Sequence, residues 1–578
     1  MSIKQSSESG TALVTAVVAA AVISTTVAGA LIVTSQTSRN TQRTGMRDSA
    51  IAVGDAYLEW AFAQWRTACQ AQRNSTPAAA AFDGLTTPDG TFLPDPDGFE
   101  VTNFSITALD GDGKPMPDRA HRPTLARGEN SDDASYFYLA SADVTVQPVG
   151  REKVTAKVRR VFEKRLESPW KYAIAYLAAD RPELEIHPSP IFTVNGWVHS
   201  NGSLYASPDN GNPLQFLDRV TSVDDYFQGY VDGDWQWRGR PGPEGAPPSF
   251  DPGIPHIQDS RKDAFGIAPS QFNPTDTNQN NDSYRELLER PQPGEDALTD
   301  ASGFNPRFYN AAAVRVLIDG SNNVTILNTA GNPVSATSPL AADRNLYNAV
   351  RPAITTGQNI QDNRENATVR LATVDVSQVK PSLVPGWNGV VYISDTSAGQ
   401  TGGSPKRGVR LKNGATLPTG GLTVVSDNPV YIQGNYNTGA TRQPSAVIGD
   451  AVMILSNAWN DANSSAGTSS RKASDTTVNT AILSGIVPTD PSYPGRQAYS
   501  GGVENFPRFL EDWSGRTFNY TGSMVQLFNS KQAIGRWGKD NVYVPPNRNW
   551  AFDTNFRTNP PPGTLFTTTY VKQRWYLE

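Results

Sequence analysis

A single cysteine, Cys69, stands in 578 residues, which excludes an internal disulfide. A chain of this length buries a core without such staples, so the count leaves an oxidising compartment open. Charged residues make up only 18%, below the roughly 25% of an average domain. A net charge of -6 and a pI near 5.5 supply no basic footing for a phosphate backbone, so nucleic acid is not an expected partner. Histidine is scarce too. His121, His187, His199 and His256 have neither i, i+4 helical spacing nor a cysteine neighbourhood, so no zinc site is legible. There is no G-x-S-x-G elbow, and no glycine-rich loop leads from a strand into a helix, so neither a serine hydrolase nor a nucleotide-binding protein is expected. His199 and Ser200 are adjacent, and adjacent strand residues point to opposite faces. Glycine (48) and proline (43) are abundant instead, alongside Asn and Thr, as in a turn-rich extracytoplasmic β protein.

The longest uncharged stretch lies near the amino terminus. Thr11 to Val33 carries no charge, and the first one after it is Arg39. Roughly 20 apolar residues at 1.5 Å per helical residue cross a bilayer's hydrocarbon core. Leu13, Val14, Val18, Val22, Ile23, Leu31 and Ile32 give this span its apolar surface, while Ala and Thr keep it only moderately hydrophobic. From Arg39 to Arg73 there is no proline, and Ile51, Leu58, Phe62, Trp65 and Cys69 recur at helical spacing. Asn74 to Pro77 is a stop signal. One continuous helix over 11–75 is predicted, apolar in its first half and amphipathic in its second.

That arrangement resembles the type IV pilin-like family, and Gly10-Thr11-Ala12-Leu13-Val14 most resembles its PilX-type minor pilins and K-type pseudopilins. The resemblance implies a leader over 1–10, cut after Gly10, with Thr11 opening the mature chain. Two positions depart from the family. Glu8 and Ser9 stand before Gly10, where a Lys or Arg is usual, and Thr15 occupies the fifth mature position, where major pilins carry Glu. The second departure favours a minor or initiating subunit. The rival reading is a secretory signal cut at Ala28-Gly29-Ala30, leaving Leu31 as the first residue.

Beyond the helix the chain reads as α+β and mostly β. Over 76–168 an antiparallel strand pair is expected: Tyr136, Tyr138, Ala140, Ala142, Val144 and Val146 alternate on one face, then Val154, Ala156 and Val158 after a turn. By analogy with pilin heads, Leu58, Phe62 and Trp65 are expected to pack against this pair. A large β head is expected over 169–578, with 206–305 a long insertion of little pattern. Short strands with consecutive apolar residues, among them Val390–Ser394, Leu422–Val425 and Val447–Leu455, favour a parallel β-helix or solenoid-like stack, with an irregular β-sandwich as the alternative.

Asp95, Asp97, Asp110 and Asp112 sit in Asp-Gly-rich turns and are the candidate calcium ligands; no other cofactor is expected. The acidic pairs Asp224-Asp225 and Glu511-Asp512 raise an alternative, a secreted or anchored β-helix carbohydrate-active enzyme. Adjacent strand carboxylates diverge, and if exposed Glu511 and Asp512 are dispensable to within about 0.5 kcal/mol. No catalytic residue is singled out. The resemblance implies a structural subunit of a type IV pilus or type II secretion-type assembly. Its partners would be other pilin-like subunits, inner-membrane lipid and the assembly machinery. The head would lie outside the membrane, able to meet a surface glycan or protein.

Overall fold

A computed structural model gives the fold. It describes residues 8–70, 76–83, 85, 98–123, 126–127, 134–147, 152–178, 182–188, 190–208, 213–231, 249–250, 256–258, 283–291, 307–398, 406–538 and 542–577. The chain divides into two compact units. The first comprises Met1–Arg127, Ser135–Arg165 and Tyr570–Glu578; the second comprises Gly128–Ala134 and Leu166–Thr569.

The first unit is one long helix on one sheet. Helix α1 (Glu8–Gln70) is unbroken, as a stretch without proline permits. Strands β1 (Phe99–Ala108), β2 (Ala126–Arg127), β3 (Ala134–Val146) and β4 (Val154–Glu167) form its sheet. β1 runs antiparallel to β3, and a register shift between Thr102 and Ser105 is absorbed by Asn103 at φ 52°. The alternation in β3 sends Tyr138, Ala140, Ala142, Val144 and Val146 to the buried face, with Tyr136 only half-buried. The face of β4 opposite Ala156 and Val158 is partly closed. Arg159 is buried, with its Nη1 2.7 Å from Asp143 Oδ1.

The edge beside β4 was not expected. It is filled by the chain's last strand, Thr567–Leu577, which enters this sheet although the sequence reading assigns it to the head. The strand's residues alternate weakly and its partner lies some four hundred positions earlier, so local pattern gives no warning of it.

The second unit is built mostly from stacked parallel strands. In its longest sheet the parallel neighbours run, in spatial order, Val314–Ile318, Val390–Asp395, Leu422–Val425, Ser445–Gly449, Ala481–Ile486, Met524–Asn529, Tyr172–Tyr176, Trp197–Ser200, Val220–Ser222 and His256–Gln258. The chain therefore enters in the middle of the stack. It winds outward to residue 258, resumes at the opposite end at residue 314, and winds back until Met524–Asn529 meets Tyr172–Tyr176. A second sheet stacks Ala367–Asp375, Lys406–Lys412, Val430–Gln433, Val452–Leu455 and Pro507–Phe509, also parallel. The antiparallel strands Val324–Leu327 and Pro333–Val334 cover the edge of Val314–Ile318, so that edge offers no open ladder.

Two sequence expectations change here. The run Val447–Leu455 is two strands in two sheets, Ser445–Gly449 and Val452–Leu455. Between them the buried Asp450 carboxylate turns the corner by accepting N–H groups of Lys531, Gln532 and Ala533 at 2.6–3.0 Å. The supposed insertion 206–305 contains rungs of the stack, including Leu214–Phe216, Val220–Ser222 and His256–Gln258. Three-residue strands are too short for periodicity to reveal.

Candidate functional site: the exposed helix and the carboxylates of the head

Along the first half of α1, Val18, Val22, Ile23, Leu31 and Ile32 are all more than half exposed. None of this apolar stretch is buried. So large an apolar surface on a soluble face is unusual and marks a membrane or a protein partner. The Thr residues are compatible with either. Thr25, Thr26, Thr34 and Thr37 donate their hydroxyls to the carbonyls of Ala21, Val22, Ala30 and Val33 at 2.7–2.8 Å, and Thr41, Thr44 and Thr67 make the same bond beyond the apolar stretch. A hydroxyl bonded within its own helix has no need of water, which hydrocarbon cannot supply. Gly10, Thr11, Leu13 and Val14 lie within the helical backbone of α1, and their side chains lie outside the described residues.

The second half of α1 buries one stripe. Ala50, Gly54, Leu58, Ala61, Trp65 and Cys69 recur every three or four residues and face the sheet. At Gly54 an added Cβ would lie 2.6 Å from Val158 Cγ2, so helix and sheet meet there with no room for a larger side chain. Leu58 and Trp65 are fully buried with Tyr138, Val158 and Phe162, whereas Phe62 is half-buried at the rim. The rings of Trp65 and Tyr138 meet edge to face at 5.6 Å, and Tyr138 donates its hydroxyl to Pro77 O at 2.6 Å. The C-terminal strand closes the other side: Tyr570 lies 5.7 Å from Trp65, and Lys572 Nζ is 2.5 Å from Glu59 Oε2. Burial pushes the Cys69 thiol up to about 12, so it packs as an apolar group.

Of the four candidate calcium ligands, Asp110 and Asp112 are among the described residues. Asp110 Oδ1 accepts the N–H groups of Asp112 and Lys114 at 3.0 and 2.8 Å, closing its own turn. Asp95 and Asp97 lie outside the described residues. Among the described residues no group of three His, Cys, Asp or Glu side chains is placed to hold a metal.

The acidic pairs do not converge on a groove. Glu511 is buried, contrary to the premise that it is exposed. Its two oxygens accept Ser456 N–H and Oγ–H at 2.6 and 2.7 Å, and burial pushes its carboxyl up to about 7. Asp512 turns the other way: a bond from Lys472, then one from Ser514, holds its carboxyl down at about 2. Phe509 and Trp513, which flank the pair, lie in the core and cannot stack on a sugar. Asp224 and Asp225 are half-buried and exposed, respectively. His199 is buried and bonds Thr221 Oγ1 at 2.7 Å and Asn201 Oδ1 at 3.1 Å, a structural tie between rungs.

Sequence reasoning missed a second acidic site. Glu185 Oε1 accepts the hydroxyls of Thr489 and Ser500 at 2.5 and 2.8 Å. Glu504 lies nearby, and burial pushes its carboxyl up to about 7. His187, stacked on Tyr230 at 4.0 Å, is pushed down to about 3 by burial and stays neutral. Some three hundred residues separate Glu185 from Glu504, so no spacing rule could pair them.

No family model and no curated protein matches this chain. Among solved structures, the competence-associated pilin ComZ from Thermus thermophilus is similar at 12% identity, covering 92% of this chain and 98% of that one, with a TM-score of 0.30. So loose a likeness carries no inference about this chain.

Proposed function

We propose that this protein is a structural subunit of the type IV pilin-like class, a minor pilin- or pseudopilin-like component of a pilus or type II secretion-type assembly. The observation that carries the reading is α1: an exposed apolar half that continues without a break into a half buried by its own sheet. A helix so divided belongs to lipid, or to neighbouring helices, at one end and to a folded head at the other. The residues Gly10-Thr11-Ala12-Leu13-Val14 add the family resemblance, and Thr15 in place of Glu favours a minor or initiating position. In this reading the precursor is a single-pass inner-membrane protein and Gly10 ends its leader. Other pilin-like subunits and the assembly machinery are its partners. The second unit, read as a parallel β-helix, is an adhesive head displayed outside the membrane.

Amino-terminal sequencing of the protein recovered from membranes tests this. The expected first residue is Thr11. A start at Leu31 would remove the anchor and make the protein a secreted one.

A further inference from the structure

One sheet of the second unit has an unusual outer face. Thr476–Asn479, Thr517–Gly522 and Asn547–Phe552 are parallel and in register, so Thr477, Asn519 and Asn549 stand side by side. Asn435 extends the file, because its Oδ1 accepts Thr477 N–H at 3.0 Å and the next residue, Tyr436, bridges to Val478. Thr517 and Thr521 flank this file on the middle strand. All six are at least partly exposed, while the residues between them, Thr476, Val478, Phe518 and Tyr520, point inward and are buried. Asn549 Nδ2 donates to Asn519 Oδ1 at 2.8 Å, which holds the amides in line. The hydroxyls of Thr477, Thr517 and Thr521 have no partner among the described residues.

The chemistry of this face narrows what it can bind. None of the six carries a charge, and the exposed Asp475 beside them, whose Oδ1 accepts Thr517 N–H at 2.9 Å, is an anion, so the face offers nothing to the phosphates of a nucleic acid. Trp550, partly exposed beside Asn549, turns its ring onto Phe192, Phe518 and Tyr520, so the outward positions offer no aromatic or aliphatic anchor of the kind that dominates protein–protein contacts. It offers amides and hydroxyls, each both donor and acceptor, repeated once per strand at about 4.8 Å. The matching partner is neutral, rich in hydroxyls and itself repetitive. We propose that this face binds a neutral polysaccharide laid along the stack, each strand supplying a weak contact and the repeat supplying avidity. The proposal gives the adhesive reading a ligand class, but its test does not depend on membrane anchoring or on processing at Gly10.

The test uses the full chain in a detergent without a sugar headgroup. Affinity electrophoresis through gels containing a soluble neutral β-glucan, a neutral α-glucan or anionic alginate reads the binding. The chain should be retarded by at least one neutral glucan and not by alginate. The double variant Thr477→Lys, Thr521→Lys should lose at least tenfold in affinity with its melting temperature unchanged, whereas Thr355→Lys, an exposed residue on a different sheet, should bind as wild type does. Should the double variant misfold, Asn549→Asp, at an exposed position, gives the same comparison. No retardation by either neutral glucan, equal retardation of the face variants, or a concentration-dependent oligomer that only the face variants abolish would each overturn the proposal. The last outcome would make the face a contact between copies of the chain.

Discussion

Glu504 shows what a buried carboxyl costs this fold. Its neighbours are Tyr176, Glu185, neutral His187 and Arg548, whose guanidinium donates to the Glu504 main-chain carbonyl at 2.9 Å. Burial wins over the pull of Arg548, so the carboxyl titrates near 7 in place of its usual 4.5. A pKa raised by folding means that the native state favours the protonated form. The associated stability is fully present below about pH 4.5 and is lost as pH rises through about 7, a loss of about 3 kcal/mol. Glu504→Gln removes the titration. Between pH 5 and pH 8 the variant's unfolding free energy should fall by about 3 kcal/mol less than that of the wild type, measured by chemical denaturation. Equal slopes would mean that the ionised group reaches water. Glu511 titrates in the same direction, so the variant keeps part of the slope.

For the elements, the division of α1 was legible and its partners only partly so. Hydropathy and the lack of proline give a continuous helix, and the alternation in β3 gives the face it meets. The exact stripe was less clear. Phe62 and Trp65 have equal claims in sequence, yet the structure buries Trp65 completely and leaves Phe62 at the rim, 5.2 Å from Phe162 and under Lys572. Side-chain direction decides this, because Trp65 falls on the buried line of Gly54, Leu58 and Ala61 that faces the sheet. Trp65→Ala should therefore cost the first unit about 3–5 kcal/mol, and Phe62→Ala roughly half of that or less, since less of its surface leaves water. Thermal melts of both variants in micelles check the order. Two neutral substitutions would mean that the helix stands free of the sheet.

At the scale of the whole molecule, sequence order and spatial order part company. The apolar runs of the second unit announce strands covered on both faces, which a stack provides. They cannot announce that the stack begins in its middle, because the pairing of Met524–Asn529 with Tyr172–Tyr176 links segments some three hundred and fifty positions apart. The same separation hides the end of the chain. Trp170 Nε1 donates to Thr564 Oγ1 at 3.1 Å, so the chain enters and leaves the second unit side by side. Tyr570 onward then belongs to the first unit. There it supplies the strand beside β4, the ring against Trp65, the Lys572–Glu59 pair, and a carbonyl on Gln573 that accepts Arg160 Nε–H at 3.2 Å. Deleting residues 570–578 should thus weaken the unit that begins the chain and spare the unit that immediately precedes the cut. In a domain of this size about 1 kcal/mol moves the melting temperature by roughly 2–4 °C. Losing a strand, a ring contact and an ion pair should lower the first unit's calorimetric transition by about 5 °C or more and leave the second unit's in place. If both transitions fell together, or only the second moved, the last strand would not be part of the first unit's sheet in solution.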